Sequence, residues 1–124
     1  SRPLLQLTVM QQSLSESEGV RLLREEFVRA GLSIEEGAPF EVDGVVLSLD
    51  GYDPVHRVGF EFVTAEAGDR KAFTADVLEG LEQKMERGEA WVLLVDEWDA
   101  VDAADVALSA RRFLGELRSR GVLK

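Results

Sequence analysis

The chain has 124 residues, enough for one domain with its own core, and its 45% hydrophobic and 31% charged content is that of a folded globular protein. It carries 14 basic and 24 acidic residues, a formal charge of −10, and a field of that sign repels phosphate backbones, which disfavours nucleic acid as a partner. With no cysteine there are no disulfides, thiolate ligands or cysteine nucleophiles, and a single histidine, His56, argues against an imidazole-rich zinc site, so any metal is expected to be oxygen-ligated Mg²⁺, Mn²⁺ or Ca²⁺.

No apolar run approaches the roughly 20 residues that cross a bilayer, and the opening SRPLLQLTVMQQ is too short and too polar for a secretory core, so a cytoplasmic home and no membrane association are expected. The absence of an initiator methionine suggests a chain trimmed or excised from something longer. We find no repeat, low-complexity block or linker, and residues 1–124 are read as a single α/β domain.

In chain order, alternation of Leu5, Leu7 and Val9 with Gln6 and Thr8 suggests an accessory N-terminal strand. Ser15 and Glu18 have the spacing of a capping box, and Val20, Leu23, Phe27 and Ala30 recur at helical intervals until Gly31. Arg21 with Glu25, and Glu25 with Arg29, stand at i,i+4 on the wet face. FEV, Asp43-Gly44 and VVLSL predict a tight hairpin in which Val42 faces Val45 and Phe40 faces Leu47. After the turn GYDPVHR comes a third strand, VGFEFVT, expected in the sheet interior.

A second helix is expected over residues 74–87, with Val77, Leu78, Leu81 and Met85 inward and Gly80 permitting a close approach. AWVLLVDE reads as a strand buried on both faces and is taken as the central one, parallel to VGFEFVT across a helical crossover. A last helix follows Asp102, paired with Asp105 as a cap, carries Val106, Ala110, Phe113, Leu114 and Leu117 inward, and ends at Gly121. The expected core order is α-β-β-β-α-β-α, a three-layer arrangement of helices on both faces of a mixed sheet.

Residues 47–64, LSLDGYDPVHRVGFEFVT, hold the candidate site. Asp50-Gly51 and Asp53-Pro54 are turn-forming pairs, which accounts for both aspartates without further chemistry. Glu61 lies between Phe60 and Phe62, where a carboxylate requires a partner, a proton or a metal, and Arg21, Arg24, Arg57 and Arg70 are the partners nearest in sequence. Whether Asp50 and Glu61 share a face depends on register, and the sequence leaves it open.

The element order over residues 13–121 resembles that of the PD-(D/E)xK nuclease-like superfamily. The resemblance implies an acid at the end of the second strand, matched by Asp50 or Asp53, a second acid matched by Glu61, and a divalent Mg²⁺ or Mn²⁺ that activates water; many members add a glutamate from the first helix. The family's lysine falls at Val63, and Lys71 is the only nearby candidate for a displaced replacement. The resemblance with its missing lysine gives a first expectation of a degenerate, non-catalytic binding or regulatory domain, needing no cofactor, that works through a protein partner or by self-association. The alternative is a metal-dependent nuclease with Asp50, Asp53 and Glu61 as metal ligands and catalytic residues and Lys71 as helper.

Other features carry less. LLVDE is not accompanied by a GxxxxGK[ST] loop, which removes nucleotide hydrolysis, and Asp96 and Glu97 are expected to cap the strand or face solvent. Without a serine in a nucleophile elbow, His56 is read as an exposed turn residue rather than a base. Trp91 and Trp98 are read as core or interface anchors, and Arg111, Arg112, Arg118, Arg120 and Lys124 as cations that complement a helix C-terminus.

Overall fold

The computed structural model describes residues 14–65, 69–100 and 102–124, so the expected N-terminal strand lies outside the described residues. The first element, helix α1 (Glu16–Arg29), starts on the capping box: the Glu18 amide donates to the Ser15 hydroxyl, and the Glu18 carboxylate accepts from the Ser15 amide at 3.3 Å. These two bonds satisfy amide donors at the helix start. Arg21 pairs with Glu25 as expected, whereas Arg29 pairs with Glu26, one residue closer, rather than with Glu25.

Strands β1 (Ala38–Val42) and β2 (Val45–Leu49) form the expected hairpin, with Val42 opposite Val45 and Phe40 opposite Leu47. The turn places Asp43 and Gly44 at φ 49° and 85°, the left-handed conformations that such a two-residue connection demands. Beyond Asp50 the chain continues as β3 (Gly51–Asp53), which pairs antiparallel with β4 (Val58–Val63). A four-residue helix α2 (Asp69–Ala72) and helix α3 (Ala75–Glu86) cross over to β5 (Trp91–Asp96), which runs parallel to β4. Helix α4 (Ala103–Ser119) closes the order, with the Asp102 carboxylate accepting from the Asp105 amide at 2.9 Å.

With β2 and β3 taken as one strand interrupted at Asp50, this is the expected α-β-β-β-α-β-α order. Among the described residues the larger sheet runs β3-β4-β5, so β4 is central, and the assignment of AWVLLVDE as the central strand is corrected. Both strands are apolar because helices cover both faces of the sheet, and that coverage hides from the sequence which strand has a neighbour on each side.

Two apolar clusters flank the sheet. On one face Val58, Phe60 and Phe62 of β4 and Val95 of β5 meet Leu23 and Phe27 of α1 and Val106, Ala110, Leu114 and Leu117 of α4. On the other face Val92 of β5 joins Phe40, Val42, Leu47 and Leu49 of the hairpin and Val77 and Leu81 of α3. Burial of each large side chain here contributes about 1.5–3 kcal/mol. Gly80 has the packing role expected of it: a Cβ there would stand 2.7 Å from Val42 Cγ1 and 2.5 Å from an Asp43 carboxylate oxygen, so α3 rests directly on the hairpin.

Candidate functional site

Register brings Asp50 and Glu61 together. Gly51 opposes Phe60, and one step back along the antiparallel pair Asp50 reaches Glu61. There the ordinary ladder gives way to side chains. The Asp50 amide donates to Glu61 Oε1 at 2.7 Å, and the Phe62 amide donates to Asp50 Oδ2 at 2.7 Å. Each carboxylate stands in for a backbone carbonyl of the facing strand, at the point where the chain leaves β1 as a partner and takes up β4. The result is a fork, with β2 held by β1 on one side and β3 held by β4 on the other.

Glu61 is 1% exposed, and the Asp50 amide is one of the partners that its burial between two phenylalanines demands. Of the four arginines nearest in sequence, Arg21 and Arg24 turn to Glu25 and Glu36, Arg57 sits in the β3–β4 turn at φ 61°, and the Arg70 side chain lies outside what the structure describes. Asp50 and Glu61 make further interactions besides these amide bonds. Asp50 also opens onto a cleft of about 390 Å³ bordered by Glu16, Val20, Arg21, Arg24 and Glu36. Glu16, at the start of α1, accepts from the Thr64 hydroxyl at 3.3 Å.

Asp53 does not join this pair. Strand alternation puts it on the opposite sheet face, opposite Val58 at the far end of β3, where it is 1% exposed. Its Oδ1 accepts from the amides of Val55 and His56, and its Oδ2 from the Ser33 amide, with His56 Nδ1 3.0 Å away. Burial pushes the Asp53 carboxyl up, but the bonds from the His56 and Ser33 amides, the His56 ring and the Val55 amide outweigh it and hold the group below its ordinary value. Asp53 thus closes the turn and ties it to the loop after α1. His56, its side chain 42% exposed, is the turn residue expected.

Val63, at the position of the family's lysine, is buried, and Lys71 in α2 is exposed with no bond to Asp50 or Glu61 among the described residues. No group of three or more acidic or histidine side chains able to hold a metal occurs among the described residues. Asp50 and Glu61 each accept from a main-chain amide across the strand junction, and Asp53, the third candidate, lies on the other face.

The remaining candidates cap and pair. Glu97 accepts from the Ala65 amide at 2.7 Å and Asp96 from the Trp98 amide at 2.8 Å at the end of β5. Arg111 makes a two-pronged contact with Glu26 at 3.2 and 3.1 Å, joining α4 to α1. Trp91 packs against the core as expected, and Trp98 is 71% exposed. Sequence reasoning missed a cleft between α3 and α4, whose acidic rim was signalled by Glu82 and Glu86 standing at i,i+4 without an intervening cation on that face.

No protein-family model matches the chain, and searches of curated proteins and of solved structures gave no match.

Proposed function

We propose that this α/β domain is a non-catalytic binding or regulatory domain that acts through a protein partner, built on a degenerate PD-(D/E)xK-like frame. The observation that carries the reading is the reciprocal bonding of Asp50 and Glu61. The two acids that the family resemblance would assign to a metal are engaged by the Phe62 and Asp50 amides, and Val63 leaves no amine to polarise a nucleophile. A net charge of −10 further opposes a phosphodiester substrate.

The test is thermal unfolding with and without Mg²⁺ or Mn²⁺, for the native chain and for Glu61→Gln, alongside incubation of the chain with DNA and RNA in the same ions. A metal bound to the native state raises the midpoint as its concentration rises. Equal midpoints with and without ion, and intact nucleic acid, are expected. A metal-dependent rise that Glu61→Gln abolishes, together with cleavage, would return the protein to the nuclease reading. Mass measured over a range of concentrations separates self-association from binding to a different protein.

A further inference from the structure

Helices α3 and α4 cover opposite faces of the sheet, and a cleft that both line opens beside Trp91, the first residue of β5, the last strand of the sheet among the described residues. That cleft holds about 270 Å³. Met85, Trp91, Phe113 and Leu117 make its apolar floor. Phe113 is fixed by stacking on Phe27, with ring centroids 6.0 Å apart, so this part of the floor is anchored to the core.

The rim is acidic. Glu82 and Glu86 project from α3 and Glu116 from α4. Glu82 and Glu86 are exposed, stand one helical turn apart and make no ion pair among the described residues. The two cations of this end of α3, Lys84 and Arg87, both turn to Glu89 instead. Like charges at i,i+4 weaken a helix, so the pair is a local conflict that folding does not explain, and such conflicts gather at functional surfaces.

The structure also shows which chemistry the floor accepts. The Arg120 guanidinium lies 5.9 Å from the centre of the Trp91 ring, with its Nη2 3.7 Å from Glu116. One cation is therefore seated on the aromatic floor at the edge of a rim that carries three carboxylates. A second cation would meet an aromatic face and two carboxylates that make no contact ion pair among the described residues, Arg87 acting on Glu86 only at longer range.

From this we infer that the cleft binds a basic segment of a protein partner, taking an arginine or lysine side chain between Glu82 and Glu86 and an adjoining apolar side chain against Met85 and Trp91. The inference deepens the partner-binding reading and rests on it. Charge complementarity selects the occupant: a second copy of this chain brings a charge of −10 to the same surface, whereas a basic segment is attracted to it.

Trp91 reports on the site once Trp98→Phe leaves it the only tryptophan. The probe is a short amidated peptide alternating arginine with leucine, titrated while Trp91 emission is followed, with glutamate–leucine and arginine–glycine peptides of equal length as comparisons. Binding of the arginine–leucine peptide is expected to exceed that of both comparisons. It should weaken about tenfold in Glu82→Gln/Glu86→Gln, two rim charges being removed, with no fall in Tm. Met85→Lys, which places a cation over the floor, should weaken it at least as far. Absence of any emission change with the arginine–leucine peptide, or an affinity unchanged in the double variant, would overturn the cleft. Metal-dependent cleavage of nucleic acid by the native chain would instead overturn the partner-binding reading, whatever the peptide titration gives.

Discussion

Asp50 and Asp53 stand at the two ends of β3 and use the same chemistry, a carboxylate accepting from main-chain amides, to opposite effect. Asp53 gathers the amides of Ser33, Val55 and His56 and closes the β3–β4 turn. Asp50 accepts from Phe62 while its own amide donates to Glu61, and the two strands are held where their neighbours diverge. One acid turns the chain back on itself, and the other lets a strand change partners. The difference shows that an aspartate beside a glycine or proline in sequence says where the ladder is interrupted, while register decides which kind of interruption it is.

The largest effect is expected for Asp53→Ala. It leaves three inward-facing amides without their acceptor and is expected to cost about 3 kcal/mol, read as a lowered urea midpoint at unchanged slope. Glu61→Leu should cost about 2 kcal/mol by orphaning the Asp50 amide, and Glu61→Gln only about 1 kcal/mol because an acceptor oxygen remains. Equal costs for leucine and glutamine would mean that the fork does not depend on that bond.

Acid separates the two ends by a different route. The folded Asp53 carboxyl lies below its unfolded value, so its stabilisation is complete above the ordinary value of 3.8 and is lost as pH falls through the folded value. The gap in Tm between the native chain and Asp53→Asn should therefore narrow between about pH 5 and about pH 2. A constant gap would show that Asp53 stabilises by shape alone. The smallest effect is expected for His56→Ala, about 0.5 kcal/mol, since the half-exposed ring contact is lost and the residue 56 amide still reaches Asp53.

Much of the fold is legible from local chemistry. The capping box at Ser15, the register through Asp43-Gly44, the parallel pairing of β4 with β5 and the glycine contact of α3 all follow from neighbouring residues or element order. What sequence does not reveal is lateral position. Leu93 and Phe60 look equally buried because helices cover both sheet faces, yet among the described residues β5 is the last strand of the sheet and β4 has a neighbour on each side. The same blindness hid the cleft, since Met85 reads as an inward helix residue and nothing in its spacing says that a cleft opens beside it. For Glu61 the sequence states the need for a partner correctly. One partner it could not supply is a main-chain amide on the facing strand, because only register brings Asp50 there.

The hand-over at Asp50 has a mechanical consequence. The strand that continues through it belongs to the hairpin cluster on one side and to the β4 pairing on the other, so the two apolar clusters share a covalent and hydrogen-bonded splice. Loosening one cluster pulls on the splice that aligns the other. The chain is expected to melt in one calorimetric transition, with van't Hoff and calorimetric enthalpies that agree, and Glu61→Leu, which leaves the covalent link and the Phe62–Asp50 bond in place, should lower the midpoint of that single transition rather than divide it.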